Sequence, residues 1–215
     1  MQDDYKPTPD EYLRRAKARL AEERVESLFY AAFEIRCAVE ARLQEYLEPQ
    51  KHVNPREKNQ WNAGKLAASV TRAFRVDKVA RVIITDRTTG EVFGTFFYTP
   101  VTPELQNLAE RLGNYLHALR QYRLQSDPWW LTLRSELRRG IELLDEAMMG
   151  ELLGPPTREP DSNFINMPLR YGPDTGDPRT WPSVEINFDI AYFDSLADAR
   201  ATLPNKALQQ PAQTR

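Results

Sequence analysis

Residues 25–47 read Val-Glu-Ser-Leu-Phe-Tyr-Ala-Ala-Phe-Glu-Ile-Arg-Cys-Ala-Val-Glu-Ala-Arg-Leu-Gln-Glu-Tyr-Leu. The run holds no Gly or Pro and is built mostly from good helix formers, so it predicts one central helix. On a helical wheel the solvated arc collects Glu23, Arg24, Ser27, Glu34, Arg42 and Glu45. Leu28, Phe29, Ala32, Phe33, Ile35, Val39, Leu43 and Leu47 fill most of the remainder. A helix apolar over so wide an arc has to be covered on several sides. Arg36 and Glu40 interrupt that arc, and four residues apart they can pair along the helix. A charge on a covered face costs several kcal/mol unless it is paired. The pair reads either as an internal link that fixes helix packing or a dimer seam, or as support for a polar site between helices.

The chain has 215 residues, 41% hydrophobic and 28% charged, which describes one large globular domain or a domain with an appendage. A net charge of −2 gives no global attraction to nucleic acid or to membranes, so any RNA contact has to come from a local basic patch. Cys37 is the single cysteine, which excludes an intramolecular disulfide and fits a cytoplasmic protein. With His52 and His117 as the only histidines, no zinc site and no cofactor are expected. No apolar run is long enough to span a membrane, and the acidic Gln2-Asp3-Asp4 start is not expected to be a signal peptide.

Around the central helix the elements follow from their caps. Thr8-Pro9-Asp10-Glu11 starts a helix over 9–22, joined to the central one directly or through a kink near Glu22–Arg24. Asn54-Pro55-Arg56-Glu57 repeats the signal and opens 55–74, interrupted near Gly64, with Trp61, Leu66, Val70 and Phe74 to pack. The period then switches. Residues 79–86 and 91–99 flank Arg87-Thr88-Thr89-Gly90 and predict a β-hairpin with a positive-φ glycine. Thr102-Pro103-Glu104 opens a helix over 103–123 with a Leu105, Leu108, Leu112, Leu116, Leu119 stripe. A further helix over 128–149 buries Leu133, Leu137, Ile141, Leu144 and Met148, with Trp129 and Trp130 as anchors in its first turn. Residues 155–182 are rich in Pro, Asp and Gly, with a short strand at 163–169, and 184–192 alternate as a half-buried strand. The expected division is a helical bundle with its hairpin over 1–154, a small β-rich appendage over 155–202 that docks on the helices, and a disordered tail over 203–215.

Three chemistries are set aside. There is no Gly-rich phosphate loop, no serine elbow, and no spacing that selects a pair of carboxylates. One constellation remains, Arg111-Leu112-Gly113-Asn114-Tyr115-Leu116-His117. An Arg can hold a phosphate and its transition-state charge, and a His can move protons at the 2′-hydroxyl and the leaving oxygen near neutral pH. On a straight helix the two side chains lie about 120° apart, so convergence needs a bend near Gly113 or a second subunit. The bland alternative is a surface cation and a polar face residue.

Phe33-Glu34-Ile35-Arg36-Cys37-Ala38-Val39-Glu40, followed by Tyr98-Thr99-Pro100-Val101-Thr102-Pro103-Glu104-Leu105 leading into Leu112-Gly113-Asn114-Tyr115-Leu116-His117, resembles bacterial proteins of the HEPN type over roughly residues 10–149. The resemblance implies a mainly α, HEPN-like helical bundle, here with an inserted hairpin and a β-rich C-terminal appendage. It implies a homodimer and metal-independent RNase activity in a phage-defence or toxin–antitoxin setting. With no metal ligands evident in the sequence, the product is expected to carry a 2′,3′-cyclic phosphate. Arg111 and His117 match the family's catalytic motif, with Arg36, Glu40, Asn114 and Tyr115 as supporting polar residues. Arg120, Arg123, Arg134 and Arg138, on the last two helices, are the expected RNA-binding cations. The alternative is a non-catalytic dimerisation module that regulates a partner protein. Leu112 is the cue for it, because active members commonly carry a polar residue directly after the Arg.

Overall fold

A computed structural model describes residues 7–22, 24–60, 62–74, 76–117, 123–158, 165–170 and 186–203. About half of the molecule is helical, and the described residues hold seven helices and a small three-stranded antiparallel sheet. The chain divides into two compact units. The first comprises Met1–Arg75 and Val101–Met148, the second Val76–Pro100 and Met149–Arg215.

The helical unit is built on α2, Val25–Leu47, which matches the predicted span. Helix α1, Pro9–Ala21, begins where Thr8 accepts the Glu11 amide, and its chain leaves the helix at Glu22, which is extended. The break falls near Glu22–Arg24 as the second alternative has it, but it is a reversal rather than a kink, and α1 folds back antiparallel along α2. Arg15 pairs with Glu34 at 3.0 Å and Arg19 lies over the Tyr30 ring. The 55–74 segment splits earlier than expected, into α3 (Pro55–Lys58) and α4 (Ala63–Phe74). Gly64 lies inside the first turn of α4, while Asn62 caps it by accepting the Lys65 amide. Leu66, Val70 and Phe74 are buried as expected, and Trp61 lies outside the described residues.

Helix α5 covers Pro103–Tyr115 behind the Thr102 cap, and α6 covers Trp129–Met148. Both pack against α2, and Leu105, Leu108, Leu112, Leu133, Leu137 and Leu144 are buried in the core together with Ile35, Val39 and Leu43 of α2. The predicted stripe on α5 stops short. Helix capping ends at Leu116, which is exposed, and Leu119 lies outside the described residues. On α6, Gly140, Leu143 and Ala147 are buried where the sequence points to Ile141 and Met148, because the helix packs through its small residues. Arg42, expected in the solvated arc of α2, is fully buried. Its guanidinium donates to the Tyr46 hydroxyl, the Ala147 carbonyl and Glu45. Phe33, expected inside, is 48% exposed.

In the second unit, β1 (Val79–Asp86) and β2 (Val92–Tyr98) form the predicted hairpin. Asp86 accepts the Thr88 and Thr89 amides, and Gly90 turns the chain at φ 71°. The C-terminal strand β5 (Ile186–Phe193) pairs antiparallel with β1, Val82 opposite Ile190, giving the order β2-β1-β5. This revises the expected division: hairpin and C-terminal strand share one sheet instead of belonging to separate parts. Arg81 of β1 reaches Asp189 of β5 at 2.8 Å and also donates to Thr202. Helix α7 (Leu196–Ala201) closes this unit, with Ala199 packed on Val79 and Phe97. Of the 163–169 segment, Ile165–Asn166 form β4, which pairs with β3, Thr157–Arg158. Residues 163–164, 184–185 and the tail from 204 lie outside the described residues.

Candidate functional site

A cavity of about 290 Å³ opens in the helical unit where α2, the start of α4 and the end of α5 meet. Helix α2 contributes Arg36, and the α4 N-terminus contributes Asn62, Ala63 and Gly64. The last turns of α5 supply Ala109, Glu110, Gly113 and Asn114, and His117 stands just beyond the helix.

Two glycines admit charged side chains to this wall. An added Cβ at Gly113 would lie 2.7 Å from Arg36 Nη1, so the guanidinium lies directly over the α5 backbone. An added Cβ at Gly64 would collide with Glu110 Oε1, so that carboxylate lies close over the first turn of α4. Arg36 is held from behind by Glu40, Nε to Oε1 at 3.0 Å. Asn62 fixes the α4 terminus, whose first-turn amides and dipole favour negative charge.

The structure thus sorts the predicted site residues into separate places. Arg36, Asn114 and His117 share the cavity, with Glu40 behind Arg36. His117 is exposed rather than locked inside the bundle. Arg111 is not in the cavity wall. It points to α6, with Nε 3.6 Å from Glu136. Tyr115, one turn on, donates to the same Glu136 at 3.0 Å. Burial and then that carboxylate push its phenol upward in pKa. Within one chain, then, Arg111 and His117 diverge, as the helical wheel requires.

Two of the four expected RNA-binding arginines are engaged elsewhere. Arg123 bonds Asp127 at 3.1 Å and covers the Trp129 ring, and Arg134 donates to the Leu20 carbonyl that ends α1. Arg138 is exposed on α6, and Arg120 lies outside the described residues. Trp129 and Trp130 act as half-buried anchors, stacked edge-on against Tyr115 and Phe29 respectively. Glu110 and Asn62 escaped the sequence reading, and Gly64 and Gly113 entered it only as an interruption and a bend, not as the places where Glu110 and Arg36 come close. The legible signal was an Asn directly before Ala-Gly at a helix start, which marks a cap followed by a turn without bulky side chains.

No group of three or more His, Cys, Asp or Glu suited to a metal ion occurs among the described residues, and no described helix is long and apolar enough to cross a membrane. Neither a family model, nor a curated protein, nor a solved structure matches this chain.

Proposed function

We propose that this chain is an RNA-binding, metal-independent endoribonuclease of HEPN-like character, and that its phosphate-holding cation is Arg36. The supporting observation is one open cavity that carries Arg36, Asn62, Asn114 and His117 beside the α4 N-terminus. A guanidinium and helix-terminal amides together suit a phosphodiester. An exposed imidazole at the rim supplies proton transfer near neutral pH. Asn62 and Asn114 offer amides to the sugar or base. Arg111, tied to Glu136, supports the α5–α6 contact in this reading.

The test is cleavage of a mixed RNA pool in EDTA. Wild type cleaves and leaves 2′,3′-cyclic phosphate ends. His117→Ala loses about 10²–10⁴-fold in rate, and Arg36→Ala about 10²–10³-fold. Arg111→Ala stays close to wild type. Loss of activity in Arg111→Ala with full activity in Arg36→Ala would return the role to Arg111.

A second reading, a non-catalytic dimerisation module, draws on Tyr30 and Phe33, which leave 59% and 48% of their surface exposed on α2. It predicts a dimer in sedimentation equilibrium that Phe33→Glu dissociates, with no cleavage by wild type.

A further inference from the structure

We propose that Glu110 is the general base of the reaction and His117 its general acid, acting on a phosphodiester held between them by Arg36. This deepens the nuclease reading above and rests on it. Glu110, in the last turns of α5, and His117, just beyond its end, both line the cavity. Arg111, next to Glu110 in the chain, does not.

Among the carboxylates near the cavity, Glu40 is bound to Arg36 and Glu136 to Arg111 and Tyr115. No hydrogen bond or ion pair holds the Glu110 carboxylate among the described residues. It leans over Gly64, where any side chain would collide with it. The charged and titratable groups in the wall are Arg36 from α2, and Glu110 and His117 from α5 and its end. From α4 the wall holds the neutral Asn62, Ala63 and Gly64.

A carboxylate can accept a proton and an imidazolium can give one. Glu110 takes the proton of the 2′-hydroxyl. The 2′-oxygen forms its bond to phosphorus as the bond from phosphorus to the 5′-oxygen breaks. His117 protonates that departing oxygen. The products are a 2′,3′-cyclic phosphate and a 5′-hydroxyl, with Glu110 protonated and His117 neutral until both exchange with water. Arg36 balances the charge that builds on the phosphoryl oxygens.

The test measures kcat, KM and their pH dependence on a short single-stranded oligoribonucleotide in EDTA, for full-length wild type, Glu110→Gln, Glu110→Asp and Gly64→Ala. Folding is checked by far-ultraviolet circular dichroism. Wild type gives a bell-shaped profile. Glu110→Gln lowers kcat by about 10²–10⁴-fold with KM nearly unchanged and removes the acidic limb. Glu110→Asp restores part of the rate and the limb. Gly64→Ala keeps the carboxylate but displaces it, lowering kcat by about 10–10²-fold. Glu110→Gln or Gly64→Ala with wild-type kcat and an intact acidic limb overturns the proposal while the nuclease reading stands. Absence of cleavage by folded wild type removes both.

Discussion

At the scale of single residues, the site depends on what is missing from Gly113. Arg36 Nη1 occupies the space a Cβ would take. Gly113→Ala places a methyl there, on a helix where Ala is favoured over Gly by about 0.5–1 kcal/mol. Stability and function should therefore separate. The thermal midpoint stays level or rises, while RNA cleavage falls by about 10–10²-fold as the guanidinium is displaced. Equal activity in both proteins would show that the Arg36 position carries no catalytic weight. Cys37, one residue on, gives a second check. Burial pushes its thiol up to about 11, and Glu40 and Glu34 add to the effect. Alkylation by iodoacetamide at pH 8 should run about a hundredfold slower than for a free thiol, since only the thiolate reacts. A rate like that of free cysteine would mean that the α2 face is open to solvent there. Arg36 was legible in the sequence because it interrupts the apolar arc of α2, and His117 and Asn114 because they lie in the constellation that starts at Arg111. Glu110 was not, being one carboxylate among 31 acidic residues with nothing in its spacing to single it out. Only the approach of α4 gives it a neighbour.

At the scale of elements, helix contacts through small residues decide how the bundle closes. Gly140 of α6 faces Leu108 and Ile35, and an added Cβ would lie 3.0 Å from Leu108 Cδ2 and 3.3 Å from Ile35 Cγ2. Gly140→Ala gains helix propensity but crowds two branched side chains in a packed core. Overpacking of this kind costs about 1–3 kcal/mol, which outweighs the gain. The urea midpoint should fall, and an unchanged or higher midpoint would mean that α6 can move outward freely. The extent of α2 and the hairpin were legible because unbroken helix formers and a turn glycine are local signals. Which side of α2 is buried was less so. Arg42 enters the core because Tyr46, Glu45 and the Ala147 carbonyl meet its guanidinium, and two of those partners, Tyr46 and Glu45, lie within four residues of it. The Ala147 carbonyl lies 105 residues away, and no wheel drawn from α2 contains it. The β1–β5 pairing is hidden for the same reason, since it joins strands a hundred residues apart, and alternation announces a strand without naming its neighbour.

At the scale of the whole molecule, charge pairing between and at the ends of helices sets how stability depends on pH. Glu104 is held below the usual carboxylate range by its hydrogen bonds to Arg139. Asp127 is lowered by the Trp129 amide and then by Arg123, and Glu22 by the Ser27 hydroxyl and then by Arg19. Each carboxylate binds its proton more weakly folded than unfolded. Its stabilising contribution is complete above the unfolded value and disappears as pH falls through the folded one. The alkaline side runs the other way. Burial and then Glu136 raise Tyr115, and burial raises Cys37, so these contributions are complete at neutral pH and are lost as pH climbs through the raised values. The urea midpoint should therefore be flat between about pH 5 and 9 and fall on both sides. Arg139→Gln identifies one cause of the acidic fall. It strips Glu104 of both its hydrogen bonds to Arg139, so Glu104 returns toward its ordinary acidity and the acidic limb becomes shallower. Because this pair is exposed, raising salt to about 0.5 M should shrink the difference between the two proteins. Parallel acidic limbs for Arg139→Gln and wild type at low salt would mean that the Glu104–Arg139 pair adds no stability, leaving those helices held by their leucines and by the Tyr115 and Arg111 contacts to Glu136.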